Sequence, residues 1–248
     1  MHDAFKTWDR GDEPLESTEM RIHDGVAREE LRARGRRYLA RLRDYFPWSI
    51  PERGKVVMEI GSGMGYPMEA ALEAFDPRCL IGLDVARSMI AKAKTRFVRD
   101  GVRNSGLSFL LYDGVTIPLR DQSVDFVYSV AALQHVPKVY VYNLLFDILR
   151  VLSPSGWCAI HLLSFGTIRQ SWFSFANEVA QQLAGKEGHW HHFYAFDELL
   201  HVLDAGIGAR QIEIIEDEQA TIWVCFTRNG DTFRRRDLPA ETHANRIR

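Results

Sequence analysis

Apolar residues along this chain alternate between short continuous runs and stripes of helical period. Five runs have the length of buried strands: KVVMEI (55–60), CLIGLD (79–84), LSFLLYD (107–113), VDFVYSV (124–130) and WCAIHLL (157–163). The clearest helical stripe, between the fourth and fifth runs, consists of Val141, Leu144, Leu145, Ile148, Leu149 and Leu152. Such spacing is typical of a helix with one buried face. Strands that alternate with helices predict a parallel sheet with helices on both faces.

The C-terminal part of the pattern is different. The predicted strands RQIEIIE (210–216) and ATIWVCFTR (220–228) are separated only by residues 217–219. A connection this short cannot cross over a sheet, so it predicts an antiparallel hairpin. The sequence therefore predicts a doubly wound α/β fold. Its seven-stranded sheet is mostly parallel and finishes in an antiparallel hairpin strand.

The pattern predicts a single domain over residues 1–248. Its predicted parts are a helical cap at 1–49, a core at 50–228 with an aromatic-rich insertion at 165–195, and a flexible tail at 229–248. The cap contains a predicted helix over 25–46, whose outer face is rich in arginine. Such a run of charge is more often a solvated face than a docking surface.

Composition narrows the choice of partners and compartment. The formal net charge is −2, so no global field favours nucleic acid or an anionic membrane. No apolar run reaches membrane-spanning length, and the first residues lack the apolar segment of a signal peptide. Cys79, Cys158 and Cys225 are widely spaced, which favours reduced thiols over a disulfide framework. These features predict a cytoplasmic protein and leave homo-oligomerisation open.

Glycine recurs at every second position in the segment EIGSGMGYPMEAAL (59–72), between the first strand and a helix. A strand, a glycine turn and a helix N-terminus bring backbone N–H groups close to a ligand. The dinucleotide fingerprint would require glycine or alanine at position 66, where the chain has Tyr66, and the lysine of a phosphate-binding loop is absent. The second strand ends in Asp84, a carboxylate suited to a ribose diol. Asp84 and Asp113 could equally be turn or cap residues.

Four segments, spread over roughly residues 50–165, together resemble the class I S-adenosylmethionine-dependent methyltransferases. They are VVMEIGSGMG, LIGLDVARSMIAKA, LLYDGVTIPLRDQSVDFVYSVAALQHV and ILRVLSPSGWCAIHLL. The resemblance implies S-adenosyl-L-methionine as the cofactor. The cofactor contacts that it implies are Glu59, Gly61, Gly63 and Gly65 around the methionine and ribose, Asp84 on the ribose hydroxyls, Val85 over the adenine, Asp113 and Gly114 at the adenine, and Ser129 and Val130 beside the methionine.

The segment SVAALQHVP after the fourth strand bears on the acceptor. It lacks the Asn/Asp-Pro-Pro-aromatic pattern of relatives that methylate exocyclic or amide nitrogens, and it lacks the paired acids of metal-dependent members, so no metal is predicted. His135 in this segment is a candidate general base, because imidazole changes charge near neutral pH. Its alternative role is to order the loop. His191 and His192, in the insertion, are further candidates.

The favoured hypothesis is methyl transfer to a small-molecule hydroxyl, on a sugar or a natural-product intermediate. One alternative is an RNA or protein methyltransferase that docks through the arginine-rich helix, which the near-neutral charge disfavours. The other is a non-catalytic domain that binds S-adenosylmethionine.

Overall fold

The computed structural model describes residues 8–9, 11, 13–22, 27–102, 105–166, 172–184, 191–217, 219 and 221–228. The predicted tail at 229–248 lies outside these residues, and the division into a cap, a core and an insertion stays a prediction.

A single twisted sheet forms the centre of the protein. Its strands are β1 (Val56–Ile60), β2 (Cys79–Asp84), β3 (Leu107–Leu111), β4 (Val124–Ser129), β5 (Leu152–Ser164), β6 (Phe193–Tyr194), β7 (Arg210–Glu216) and β8 (Thr221–Thr227). The strand order is β3-β2-β1-β4-β5-β8-β7, and the two-residue β6 pairs with the end of β5. Strands β1 to β6 pair in parallel, whereas β8 runs antiparallel to both β5 and β7. The predicted mostly parallel α/β architecture with its final hairpin is confirmed, and the two-residue β6 adds an eighth strand to the seven predicted.

Helices cover both faces of this sheet. They are α1 (Leu15–Ile22), α2 (Arg28–Tyr45), α3 (Tyr66–Phe75), α4 (Arg87–Arg99), α5 (Lys138–Val151), α6 (Trp172–Leu183) and α7 (Phe196–His201). One apolar cluster joins the sheet to α5 through residues such as Leu144, Leu145 and Ile148. A second joins the opposite face to α2 and α3 through Leu42 and Ala71. Burial on both faces explains why the central strands read as continuous apolar runs.

The segment SPSG (153–156) lies within β5, which begins before the predicted fifth run at 157–163. Helix α5 ends at Val151, and β5 begins immediately at Leu152. The pairing between β4 and β5 then shifts, from Val124 opposite Leu152 to Phe126 opposite Trp157. The extra residues on β5 are accommodated as an irregularity in the strand, so a separate loop is not needed.

Helix α2 lies against the beginning of α3 because Gly35 has no side chain. A Cβ atom built on Gly35 would lie 2.7 Å from the carbonyl oxygen of Tyr66. Any larger residue would therefore push α2 away from α3. This close approach places one face of α2 beside the carboxyl edge of the sheet, which is where parallel sheets bind ligands.

Candidate active site

A cavity of about 450 Å³ opens at the carboxyl ends of β1, β2 and β4. The glycine turn at 61–65 forms one wall, and the segment 130–136 that follows β4 forms another. Helix α2 and His191 complete the enclosure, together with Trp8. Both the volume and the location are those of a site for a small molecule.

Each glycine of the turn has a left-handed backbone, with φ of 72° at Gly61, 49° at Gly63 and 77° at Gly65. A Cβ atom on Gly61 would lie 2.4 Å from the Cβ atom of Ala132, and one on Gly65 would lie 2.6 Å from the ring of Phe97. A Cβ atom on Gly63 would meet no atom within 4 Å. Packing therefore excludes a side chain at the outer two positions, whereas Gly63 borders open space in the cavity.

We expect Gly63→Ala to weaken binding of S-adenosylhomocysteine by about 1–3 kcal/mol, which is the usual cost of an inserted methyl group in a filled site. The matched control is Gly54→Ala, since Gly54 has a similar left-handed φ of 77°, has open space around it and lies in an exposed turn outside the cavity. Isothermal titration calorimetry measures the affinity of both variants for S-adenosylhomocysteine. Both substitutions strain the backbone, so a loss of affinity confined to Gly63→Ala is due to the space that the methyl group fills. Equal affinities in both variants would show that the turn at Gly63 is only structural.

Asp84, at the end of β2, links this strand to the glycine turn. Its Oδ2 accepts a hydrogen bond of 2.7 Å from the N–H of Gly63, and its Oδ1 accepts one of 2.9 Å from the N–H of Ala86. Burial raises the pKa of Asp84, while these backbone hydrogen bonds act in the opposite direction. Each carboxylate oxygen can accept a further hydrogen bond. Asp84 lines the cavity, so a ribose diol could take up that capacity.

Several buried polar atoms in the cavity wall have no hydrogen-bond partner among the described residues. They are Glu59 Oε1, Ser62 Oγ and Gln134 Oε1. Glu59 is 1% exposed, and its other oxygen accepts a hydrogen bond of 3.1 Å from the hydroxyl of Tyr128. Burial raises the pKa of Glu59 well above its usual range. An unsatisfied buried polar atom costs about 1–3 kcal/mol. The hydroxyls and the amine of S-adenosylmethionine fit as the missing partners.

The structure brings most, but not all, of the predicted cofactor residues to this cavity. The predicted residues in its wall are Glu59, Gly61, Gly63, Gly65, Asp84, Val85 and Val130. Ser129 is fully buried and donates a hydrogen bond of 2.8 Å to the carbonyl of Ile60, so it joins β4 to β1. Asp113 is exposed and accepts hydrogen bonds from two following backbone N–H groups, the arrangement of a turn residue. Cofactor roles for Ser129, Asp113 and Gly114 stay predictions.

The candidate histidines come together from distant parts of the chain. The rings of His135 and His191 lie 4.6 Å apart between centroids, and both line the cavity. Strand β6 pairs with the end of β5, and the N–H of His192 donates a hydrogen bond of 2.7 Å to the carbonyl of Gln134. These backbone contacts hold residues 192–194 against the end of β5 and the segment that follows β4. The wall of the cavity includes His191 but not His192.

The described part of the N-terminus contributes to the cavity wall beside His135. Trp8 lines the cavity and lies 5.3 Å from the ring of His135. The adjacent Asp9 accepts a hydrogen bond of 2.9 Å from the N–H of Ser88, in the first turn of α4. A carboxylate is favoured at that end of a helix. The contact fixes Trp8 over the cavity.

The cavity walls are positioned by two buried residues, neither of which was identified from the sequence. Arg96 on α4 is fully buried and donates hydrogen bonds to the carbonyls of Met64 and Gly65, at 2.7 and 2.9 Å. His161 on β5 accepts a hydrogen bond of 3.3 Å from the N–H of Ala131, which has a left-handed φ of 54°. Burial lowers the pKa of His161 to about 4, which keeps the ring neutral and able to accept. The only sequence signal for either residue is a polar side chain within an apolar stretch.

Neither a metal cluster nor a membrane-spanning helix occurs in the part of the chain that the structure describes. These residues contain no group of three or more histidine, cysteine, aspartate or glutamate side chains that could hold a metal ion. Their helices include none with the length and apolar character needed to span a membrane.

Residues 58–160 match the family model described as a methyltransferase domain. The chain is 29% identical over 174 residues to a malonyl-[acyl-carrier protein] O-methyltransferase of Marinomonas sp., a match that covers 69% of this chain and 57% of the relative. It is 31% identical over 104 residues to a sterol 24-C-methyltransferase of Pneumocystis carinii, covering 42% of this chain and 26% of the relative. The matches thus span about half of the first relative and about a quarter of the second.

The fold is also found among solved structures. A putative S-adenosyl-L-methionine-dependent methyltransferase of Methanococcus maripaludis superposes with a TM-score of 0.61 at 18% identity, covering 91% of this chain and 98% of that one. The domain match, the fold and the cavity beside the glycine turn agree with one another. Residues 58–160 therefore form a methyltransferase domain with the fold of the class I S-adenosylmethionine-dependent methyltransferases, and S-adenosylmethionine is its cofactor.

Proposed function

We propose that the protein transfers a methyl group from S-adenosylmethionine to a hydroxyl of a small molecule, such as a sugar or a natural-product intermediate. The observation that carries this proposal is the pair of imidazoles, His135 and His191, in the wall of the cavity that contains the glycine turn. A hydroxyl is a weak nucleophile until its proton is removed, and imidazole is suited to that task at neutral pH.

The residues around the cavity have separate tasks in this mechanism. When bound, S-adenosylmethionine supplies an electrophilic methyl group. Glu59, Ser62 and Asp84 hold the cofactor through their remaining hydrogen-bonding capacity. His135 accepts the proton of the acceptor hydroxyl as the new bond forms, and Trp8 keeps water away from it. Since methyl transfer is an in-line displacement, alignment in a closed site provides most of the acceleration.

The arrangement of the arginines on α2 argues against docking of RNA or an acidic protein. Arg32 pairs with Glu69 and Asp100, Arg37 pairs with Glu30, and Arg41 lies 3.7 Å from Asp217. Much of the positive charge of this helix is therefore neutralised within the domain.

The two curated relatives differ in the methylated atom, one being named for O-methylation and the other for C-methylation. They therefore leave the choice of acceptor to experiment.

S-Adenosylhomocysteine is expected to raise the melting temperature, because a ligand that binds only the folded state stabilises it. At a concentration of 100 Kd the gain is about 2.7 kcal/mol, or roughly 5–10 °C for a domain of this size. NAD and ATP serve as controls in the same thermal scan. A shift with NAD alone would contradict the cofactor assignment.

The acceptor is tested with radiolabelled S-adenosylmethionine against pooled metabolites, polysaccharides and RNA. Label on small-molecule products supports hydroxyl methylation if it survives mild alkali, which cleaves methyl esters, and is released by hydriodic acid, which cleaves methyl ethers but not C-methyl groups. Label on RNA, on amines or as alkali-labile esters contradicts it. Binding of S-adenosylhomocysteine with no transfer to any pool would favour a non-catalytic role.

A further inference from the structure

One arginine of α2 differs from its neighbours. Arg34 lines the cavity, and among the described residues its guanidinium has neither an ion pair nor a hydrogen bond. Arg36 also has no such partner among these residues, but it is exposed and lies outside the cavity wall. An arginine carries its charge at every physiological pH, so Arg34 brings a permanent unpaired cation to the site.

Tyr38 lies one helical turn after Arg34 and also lines the cavity. Its ring is held by His161 at 5.3 Å and by Trp223 at 6.2 Å between centroids. Trp223 is itself fixed by a hydrogen bond of 3.2 Å from its Nε1 to Asp217. Within the described part of the chain, the hydroxyl of Tyr38 has no hydrogen-bond partner. Arg34 and Tyr38 therefore offer donors from the same face of α2.

The acids of the cavity are not available to neutralise Arg34. Asp84 is engaged with the backbone N–H groups of Gly63 and Ala86. Glu59 is paired with Tyr128, and its burial favours the uncharged form. Glu30, one turn earlier on α2, interacts with Arg34 only electrostatically, because its carboxylate is paired with Arg37. A partly enclosed guanidinium that makes no ion pair or hydrogen bond within the described residues is best satisfied by a ligand carboxylate, which accepts two parallel hydrogen bonds from it.

We propose that Arg34, assisted by Tyr38, forms a carboxylate-binding subsite in the cavity. Two ligands could supply this carboxylate: the amino-acid end of the cofactor, or an acidic group on the methyl acceptor. The inference rests on the proposed function only in the second case. Gly35 is what allows the subsite to form, because it lets α2 approach the glycine turn closely enough for Arg34 to reach the cavity.

The test compares Arg34→Gln with Arg36→Gln, a matched substitution on the same helix outside the cavity. Calorimetry measures binding of S-adenosylhomocysteine and of 5′-methylthioadenosine, which lacks the amino-acid end. If the cofactor supplies the carboxylate, Arg34→Gln weakens S-adenosylhomocysteine binding roughly 10- to 100-fold, as expected for one charge-assisted hydrogen bond, and leaves methylthioadenosine binding unchanged. Arg36→Gln changes neither affinity.

If the acceptor supplies the carboxylate, both nucleosides bind Arg34→Gln normally. In that case succinate, used as a simple carboxylate probe, binds the protein saturated with S-adenosylhomocysteine and loses this binding in Arg34→Gln. Unchanged affinity for all three probes in a folded Arg34→Gln protein overturns the subsite. A wild-type protein that binds neither nucleoside would instead overturn the cofactor assignment, so the two failures are distinguishable. Circular dichroism and thermal melting establish that each variant is folded.

Discussion

Replacing His135 by alanine is expected to slow methyl transfer by about 10²–10⁴-fold, the usual contribution of a positioned general base. Affinity for S-adenosylhomocysteine should stay nearly unchanged. The proposed cofactor contacts at Glu59 and Asp84 lie on β1 and β2, whereas His135 lies in the segment after β4. The measurement is single-turnover kinetics, in which the loss appears in the chemical step. His201→Ala is the control, since His201 is exposed on α7 and lies outside the cavity wall.

The pH profile separates catalysis by His135 from a structural role. A base must be unprotonated to act, so the wild-type rate should fall once the pH is low enough to protonate His135. This acid limb should disappear in His135→Ala. If the limb remains and the melting temperature or cofactor affinity falls, His135 orders the loop, and His191 and His192 become the next candidates. Unchanged rates in all three alanine variants would count against a hydroxyl acceptor.

Arg96→Met is expected to lower the free energy of unfolding by about 3–5 kcal/mol, the typical cost of removing one partner from a buried ion pair. Arg96 has no exposed side-chain surface and lies 2.6 Å from Glu69 and 3.3 Å from Asp100. Its guanidinium also stacks on the ring of Tyr66 at 4.2 Å. Methionine fills part of the volume but leaves Glu69 Oε2 and the carbonyls of Met64 and Gly65 without the donor that Arg96 supplies, while Glu69 Oε1 keeps its pairing with Arg32. Urea denaturation monitored by circular dichroism measures the change.

The control for Arg96 is Arg53→Met. Arg53 pairs with Asp76 at 3.1 Å, but the two side chains are 86% and 62% exposed. Solvent screens a pair of this kind, so the expected change is about 0–1 kcal/mol. A loss below about 1 kcal/mol in Arg96→Met would mean that water replaces the guanidinium at the glycine turn. Because the turn forms one wall of the cavity, weaker binding of S-adenosylhomocysteine should accompany the larger loss.

Much of the fold could be predicted because its main signals are local. Strands buried on both faces must be apolar throughout, so runs such as CLIGLD (79–84) are visible without a structure. The short connection after Glu216 leaves only an antiparallel arrangement for β7 and β8. The glycine turn was visible for the same reason, since its close contacts and left-handed backbone exclude most other residues. The class I methyltransferase family was indicated by the resemblance of four segments over roughly residues 50–165, which include the glycine turn.

The assembly of the site depended on contacts between residues far apart in the chain. A sequence pattern does not show whether a polar side chain at a strand end points to a ligand or to a neighbouring backbone group. Ser129 donates to the carbonyl of Ile60 and Asp113 accepts from the N–H of Val115, and neither contact could be read from the sequence. His191 reaches His135 only because β6 pairs with the end of β5.

The arginines show most clearly which features the sequence determines and which the tertiary structure decides. Sequence by itself determined that α2 has an arginine-rich face, but it did not single out Arg96 on α4. Tertiary structure alone decided that Arg32 and Arg41 are paired, that Arg34 faces the cavity and that Arg96 supports the glycine turn. The physical reason is that the state of a charged side chain depends on burial and on partners brought to it by other elements, whereas hydrophobic periodicity is a property of each element alone.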